Sequence, residues 1–496
     1  MGDTPGAHTG TLALGFSSFA VCVASILGTG ILAFPDALYA CPAPAVGALG
    51  ASSTFAQVGA VIIMIELIQC AAAWMPVTER AKLHSASAEA ERGSLVSKDI
   101  GSVETPRSTD DAPLPEPSLY ELAELFLTSP WLKALFYAMI QMHFVATIVS
   151  YGLAAPQAYR ELLRHIFPAA FALDQPLSWW QSSGMAFSFS FFMSACVLTF
   201  LHGWQRALST MSAVKAVLLL CVVAMIGILW NKAAAVDSLS SDLGQQESMQ
   251  SCGEVFLLWT ISVGGSVNAL PVLYSWVLLE KGVVDEADLS TIRRAALFAV
   301  VFCALLVAFY ACAVFYLVGP VELKLAHDAG EMSTVLLMRS LMRLNGRTGV
   351  LALKIMVDFF VAASVTVSFI LMAVAMRHFL HAASIALAKH ISSNGRNILS
   401  WLAEPLMYVV WFGLICVLVI LNPRGFLRAL EVFASMALNM QTGVFLAWML
   451  WCARAQNLVS TIANSMGRAT AWFWISIVGI YYAIAVLYDI VFSITS

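Results

Sequence analysis

Charge is scarce in this sequence. Asp, Glu, Lys and Arg make up 11% of its 496 residues, where a soluble domain carries about 25%. The deficit runs along nearly the whole length, with 60% hydrophobic residues and a mean hydropathy of +0.82. That excludes an ordinary soluble domain and leaves a polytopic membrane protein. There is no excess of positive charge either: 26 basic against 30 acidic residues give a net charge of −4, so no nucleic-acid partner is expected. No CxxC and no His/Cys cluster of zinc spacing occurs, so no metal is expected. The ten cysteines fall mostly inside apolar runs, where a free Cys behaves as a small hydrophobe. Cys41 and Cys252 instead flank such runs, and a disulfide could join them. Asn-x-Ser/Thr is absent. No Lys or Arg precedes Arg80, so the basic region of a cleavable signal is missing and the first apolar segment is expected to stay as an anchor.

A spanning helix needs about 20 mostly apolar residues. Eleven segments qualify: roughly 11–39, 46–74, 131–156, 184–201, 210–230, 254–279, 295–318, 350–376, 401–421, 426–451 and 471–492. The fourth is the shortest. Between the second and third lies a polar stretch, 76–118, whose thirteen charges and Pro/Ser/Glu bias read as a disordered loop. Putting that loop on the cytosolic side also puts most of the Lys and Arg there, as the positive-inside rule requires. The N-terminus is then cytosolic. Residues 1–10 form a short tail, 11–230 a first group of five helices, 254–452 a second group, and 471–496 an eleventh helix.

The first and sixth spans share a pattern. One reads Gly28-Thr29-Gly30-Ile31-Leu32-Ala33-Phe34-Pro35, the other Gly264-Gly265-Ser266-Val267-Asn268-Ala269-Leu270-Pro271. In both, seven positions separate the first Gly from the Pro. Gly and Pro break helices, and paired interruptions at matching places in two halves of a membrane chain point to a transport site. The five-helix groups, being odd-numbered, would have opposite topology, which makes a five-plus-five inverted repeat. Unpaired backbone at membrane depth survives only where protein, water or ligand satisfies it. An unwound first span would free the amides of Thr29, Gly30 and Ile31 at a helix N-terminus, which suits a carboxylate. An unwound sixth span would free carbonyls near Val263 and Gly264, which suit an ammonium. Together they describe an α-amino acid. The competing reading is close helix packing through small residues.

The first-span residues resemble the signature of the amino acid/auxin permease family, which runs Gly-Ser/Thr-Gly-Ile-Leu and then toward Pro. The run Leu270-Pro271-Val272-Leu273-Tyr274, with Glu280 beyond it, is similar to the family's sixth-span pattern. The resemblance implies an all-α fold of five plus five inverted helices with discontinuous first and sixth helices, and amino acid transport. It places the substrate carboxylate at Gly28, Thr29 and Gly30 and the amino group at the carbonyls near Val263 and Gly264. Three residues depart from the pattern: Ala24 where sodium-coupled members carry a side-chain oxygen, Asp36 where Tyr is common, and Ser266 where His is common. The first points away from sodium and toward proton coupling or facilitated exchange.

Ionisable residues at membrane depth are functional candidates by default. His143 lies mid-way along the third span and could titrate between pH 5 and 8, or stand neutral against a neighbouring helix. Glu66 is a gate or proton candidate, or a helix-end carboxylate reaching water. Asp36 could gate the outer mouth. Lys215 reads as a snorkelling residue near a helix end. Ser364 and Ser368 share a face of the eighth span, where they could line an ion site. Trp259, with Val263, Gly264, Gly265 and Ser266, could contact the substrate. The expected function is a secondary active or facilitative carrier of a neutral amino acid, in the plasma membrane or a vacuolar or lysosomal membrane. Its partners would be the substrate and the bilayer, and it would hold no cofactor. The alternative is a sensor that binds at the same place and moves nothing. No nucleophile–base pair suggests an enzyme.

Overall fold

The computed structural model describes residues 5–26, 41–94, 117–167, 183–199, 201–233, 249–281, 284–318, 322, 347–393, 402–421, 434–456 and 466–495. Every regular element among them is helical. Nine helices are long and apolar enough to cross a membrane, and two shorter apolar helices, Leu12–Ile26 and Met185–Thr199, stand where the first and fourth spans are expected. The architecture is an all-α polytopic membrane protein.

The first span is α1 (Pro5–Ile26) and the second is α2 (Ala43–Ser94). A short amphipathic helix, α3 (Leu119–Phe126), follows. Its start is set by a capping box: the Ser118 hydroxyl accepts from the Glu121 amide, and the Glu121 carboxylate accepts from the Ser118 amide at 2.9 Å, so two orphan donors are satisfied at once. Leu119, Leu122, Ala123 and Phe126 form its buried face. The third, fourth and fifth spans are α4 (Pro130–Ile166), α5 (Met185–Thr199) and α6 (Leu201–Ala233). The sixth is divided into α7 (Met249–Val263) and α8 (Ser266–Lys281). The seventh, eighth and ninth are α9 (Glu286–Val318), α10 (Arg347–Ser393) and α11 (Ala403–Leu421). The tenth carries a π-helical turn, Met440–Phe445, between residues 434–439 and α12 (Leu446–Ala455). The eleventh is α13 (Arg468–Thr495).

Two boundaries differ from the sequence reading. The first helix starts at Pro5, inside the tail expected over 1–10. The second runs on to Ser94, well into the loop expected to be disordered. Its extension, from Glu79 to Arg92, is rich in Ala, Glu, Lys and Arg, which lose little side-chain freedom in a helix. Low hydropathy was read as absence of structure, but a helix that leaves the bilayer needs no apolar face to continue. The remainder of that loop, 95–116, lies outside the described residues.

One continuous core runs through the bundle. Within it α1 packs on α9 and α6, α4 on α10, and α2 on α7. Small residues set how closely these pairs approach. A Cβ added at Gly50 of α2 would stand 2.8 Å from the Trp259 ring of α7, and one at Gly59 would stand 2.6 Å from Trp474 of α13. The end of α1 is thereby brought beside the division between α7 and α8.

Candidate functional site

The sixth span breaks at Gly264-Gly265. The Gly264 amide makes the last α-helical bond of α7, to the Thr260 carbonyl at 3.0 Å. Gly265 then takes φ +95°, a conformation that costs an L-residue about 1–2 kcal/mol and that Gly adopts freely. The chain re-enters a helix at Ser266, where the Asn268 amide bonds the Gly265 carbonyl at 3.1 Å. A helix leaves its terminal carbonyls and its first amides without intrahelical partners. The break therefore sets the negative end of α7 beside the positive end of α8. Pro271 is the sixth residue of α8, further in than the sequence suggests, and by lacking an N–H it leaves the Val267 carbonyl without its helical donor.

The first span holds the break in place. The Ser25 hydroxyl donates to the Gly265 carbonyl at 2.6 Å, and the Ser25 carbonyl lies 2.9 Å from where a Cβ at Gly265 would be. No side chain fits between the two backbones. One turn away, the Gln57 amide of α2 donates to the Thr260 carbonyl at 3.3 Å. The hydroxyls of Ser262 and Ser266 are buried with no protein partner among the described residues.

A cationic side chain stands on the other face of the α1 end. Lys215 of α6 is fully buried. Its Nζ donates to the Ala24 carbonyl at 3.0 Å and to the Ser368 hydroxyl of α10 at 2.8 Å. This corrects the snorkelling reading: the amine turns inward, to the Ala24 carbonyl and the Ser368 hydroxyl. Ser368 is also 3.4 Å from the Ala24 carbonyl. The amine thus lies beside Ser368, one of the two hydroxyls that the sequence reading places at an ion site.

A third cluster touches the start of α8. The Asn268 amide nitrogen lies 3.2 Å from Nε2 of His143 on α4, and the Gln441 amide of the π-helical turn donates to the Asn268 carbonyl oxygen. All three are buried. In this orientation the Asn268 NH₂ donates to His143, so Nε2 acts as an acceptor and the imidazole is neutral. A protonated ring could not accept that bond, so protonation would force the Asn268–Gln441 pair to rearrange.

Of the residues singled out from sequence, the structure places Gly265 against Ser25 of α1, Ser368 beside Ala24 of α1 and His143 against Asn268 near the start of α8, with Val263, Gly264 and Ser266 flanking the break. Ser364, one turn from Ser368, is buried. The Trp259 ring fills the space over Gly50 of α2. Glu66 belongs to another place. It accepts from Arg454 at 2.6 Å and from the Met466 amide at 3.2 Å, while Arg454 also bonds the Met466 carbonyl at 2.8 Å. Arg454 is thirteen residues beyond Gln441, roughly 20 Å along a helix. Glu66 is a buried tie between the second and tenth spans rather than a carboxylate in water. Gly28, Thr29, Gly30, Ile31 and Asp36 lie outside the described residues. The sequence reading passed over Asn268, Gln441 and Asp489. The last is a buried carboxylate on α13 that accepts from Asn439 at 2.8 Å and Ser435 at 3.1 Å. A polar residue inside an apolar run was the signal available for each.

The fold is shared with a solved transporter structure. Mhp1, a nucleobase-cation-symport-1 family transporter solved in a closed conformation with bromovinylhydantoin bound, matches over 96% of this chain and 91% of its own, at 12% identity and a TM-score of 0.50. A manganese transporter from Eremococcus coleocola, solved with an aromatic bis-isothiourea substituted compound, matches over 99% and 89%, at 12% identity and a TM-score of 0.44. At 12% identity the likeness to Mhp1 speaks for the fold alone. No protein-family model and no curated protein matches the chain.

Proposed function

We propose that this protein carries amino acids across a membrane by alternating access, as a transporter of the amino acid/auxin permease type. The observation that supports this most is the break at Gly264-Gly265 held against the end of the first span by Ser25. The last carbonyls of α7 have no partner within their own helix and would suit an ammonium, and the Gly28–Gly30 segment that follows α1 in sequence would supply amides for the carboxylate. The fold shared with Mhp1 is compatible with such a site. The apolar residues Val263 and Val267 beside the break favour a neutral side chain.

In this reading the charge that a coupling ion would bring is supplied by Lys215, whose ammonium is bonded to Ala24 and Ser368. Sodium is then not required, and His143 or Lys215 would carry the coupled proton.

The test is uptake of a radiolabelled amino acid panel into liposomes holding the purified chain, with and without an inward proton gradient, and with sodium replaced by choline. Accumulation of a neutral amino acid that responds to the proton gradient and ignores sodium is expected. Binding without uptake would instead favour a sensor, and the absence of both would overturn the amino acid assignment.

If His143 carries the coupled proton, His143→Ala should flatten the pH profile of uptake. Uptake at the more alkaline end should be kept, since the ring there is neutral and its place can be taken by water bonded to Asn268. An unaltered profile would remove His143 from coupling.

A further inference from the structure

We propose that Cys41 and Cys252 form a disulfide that staples the chain entering α2 to the start of α7. The two sulfurs lie 2.8 Å apart although 211 residues separate them. Cys41 is two residues ahead of α2, and Cys252 is the fourth residue of α7, ahead of the apolar stretch that begins at Val255. Both thus sit at helix ends on one face of the bundle, opposite the loop 76–118. By the distribution of Lys and Arg that face is the outer or lumenal one, where disulfides form and persist.

The surroundings suit a staple rather than a latch. Below the two cysteines α2 and α7 are already in tight contact, with the Trp259 ring over Gly50 and Gln57 bonded to the Thr260 carbonyl at 3.3 Å. A covalent bond at the top of this pair would join two elements that already pack against each other.

The chemistry is a thiol–disulfide exchange with a small-molecule disulfide such as oxidised glutathione. Cys252 is half-buried and Cys41 is buried, so Cys252 reacts first. Its thiolate attacks one sulfur of the oxidant, the oxidant's S–S bond breaks, and one thiolate leaves. Cys41 then gives up its proton and attacks the Cys252 sulfur, expelling the second thiolate. Two protein thiols are oxidised, the oxidant is reduced to two thiols, and the two protons pass through solvent to the departing thiolates. Burial, and then the neighbouring Cys252 thiol, push the Cys41 thiol up to about 12. At neutral pH only about one in 10⁵ such groups is ionised, which would stall a bimolecular reaction. Effective molarities of about 10⁵ M or more for well-placed intramolecular groups offset that factor.

The purified full-length protein is incubated with oxidised glutathione or with reductant, denatured, and its free thiols are counted by maleimide labelling and intact mass. The sequence has ten cysteines. Ten labels are expected after reduction and eight after oxidation, with no added glutathione mass. Cys41→Ser and Cys252→Ser should each abolish the bridge, and reduction should lower the apparent melting temperature of the wild type alone. Ten labels under both conditions, a stable glutathione adduct in place of the bridge, or a reductant-sensitive dimer would each overturn the proposal.

Discussion

Lys215→Met should reduce uptake at least about a hundredfold while the protein still inserts and folds. The side chain is fully buried and its amine bonds two neutral oxygens from two different spans. A hydrogen bond from a charged group contributes about 1.5–3 kcal/mol, and two of them join α1 and α10 through α6. Methionine keeps the length and apolar stem but removes every donor. The Ala24 carbonyl is not then orphaned, because the Ser368 hydroxyl already lies 3.4 Å from it and can close up. The fold should therefore lose less than transport does. Lys215→Gln separates the remaining terms, since it restores donors without restoring charge. If charge is what matters, Gln should be as inactive as Met. Lys215→Ala goes further, because it opens a space lined by the Ala24 carbonyl and the Ser368 hydroxyl into which a small cation could enter. Partial recovery of uptake on adding sodium, seen with Ala and absent with Met, is the expected signature of an ammonium standing in place of an ion. Wild-type uptake by Lys215→Met would refute the role outright.

The comparison of Lys215 with Gly264-Gly265 shows what a sequence of this kind discloses. The spans were legible because about 20 apolar residues in a row have few other uses, and the break in the sixth was legible because two glycines at membrane depth are costly without a purpose. These are properties of the chain itself. The direction taken by a lysine is not. Position along a helix made Lys215 look able to reach water, and only the neighbouring α1 end, 191 residues away in sequence, gives it a better partner. That the Trp259 ring lies over Gly50 of α2 is likewise invisible in the sequence. His143 was picked out by its ionisable ring, while its partners Asn268 and Gln441 carry no charge to draw notice, and Gln441 reaches Asn268 from a π-helical turn that no periodicity announces. The helix over 76–94 was missed because polarity was weighed above helix propensity.

Gly265→Ala should sharply reduce uptake. At φ +95° any L-residue is strained by about 1–2 kcal/mol. The added Cβ would also stand 2.9 Å from the Ser25 carbonyl oxygen, and a backbone atom cannot swing aside as a side chain can. Relief requires either that the break rewinds or that α1 moves away. Either motion breaks the 2.6 Å bond from the Ser25 hydroxyl to the Gly265 carbonyl. The expected result is a loss of uptake of at least about thirtyfold, corresponding to about 2 kcal/mol, with reduced affinity for any amino acid bound. Gly413 of α11 supplies the control. An added Cβ there meets nothing within 4 Å, and Gly→Ala inside a helix stabilises by about 0.8–1 kcal/mol, so Gly413→Ala should transport normally and melt no lower than the wild type. Ser25→Ala divides the two causes, because it removes the bond and leaves the backbone contact intact. If the bond is what holds the carbonyls of the break in register, Ser25→Ala should lose part of the uptake that Gly265→Ala loses. If only the glycine's conformation matters, Ser25→Ala should transport as the wild type does. Uptake unchanged in Gly265→Ala would show that the break is a packing feature, and would return the substrate site to some other part of the bundle.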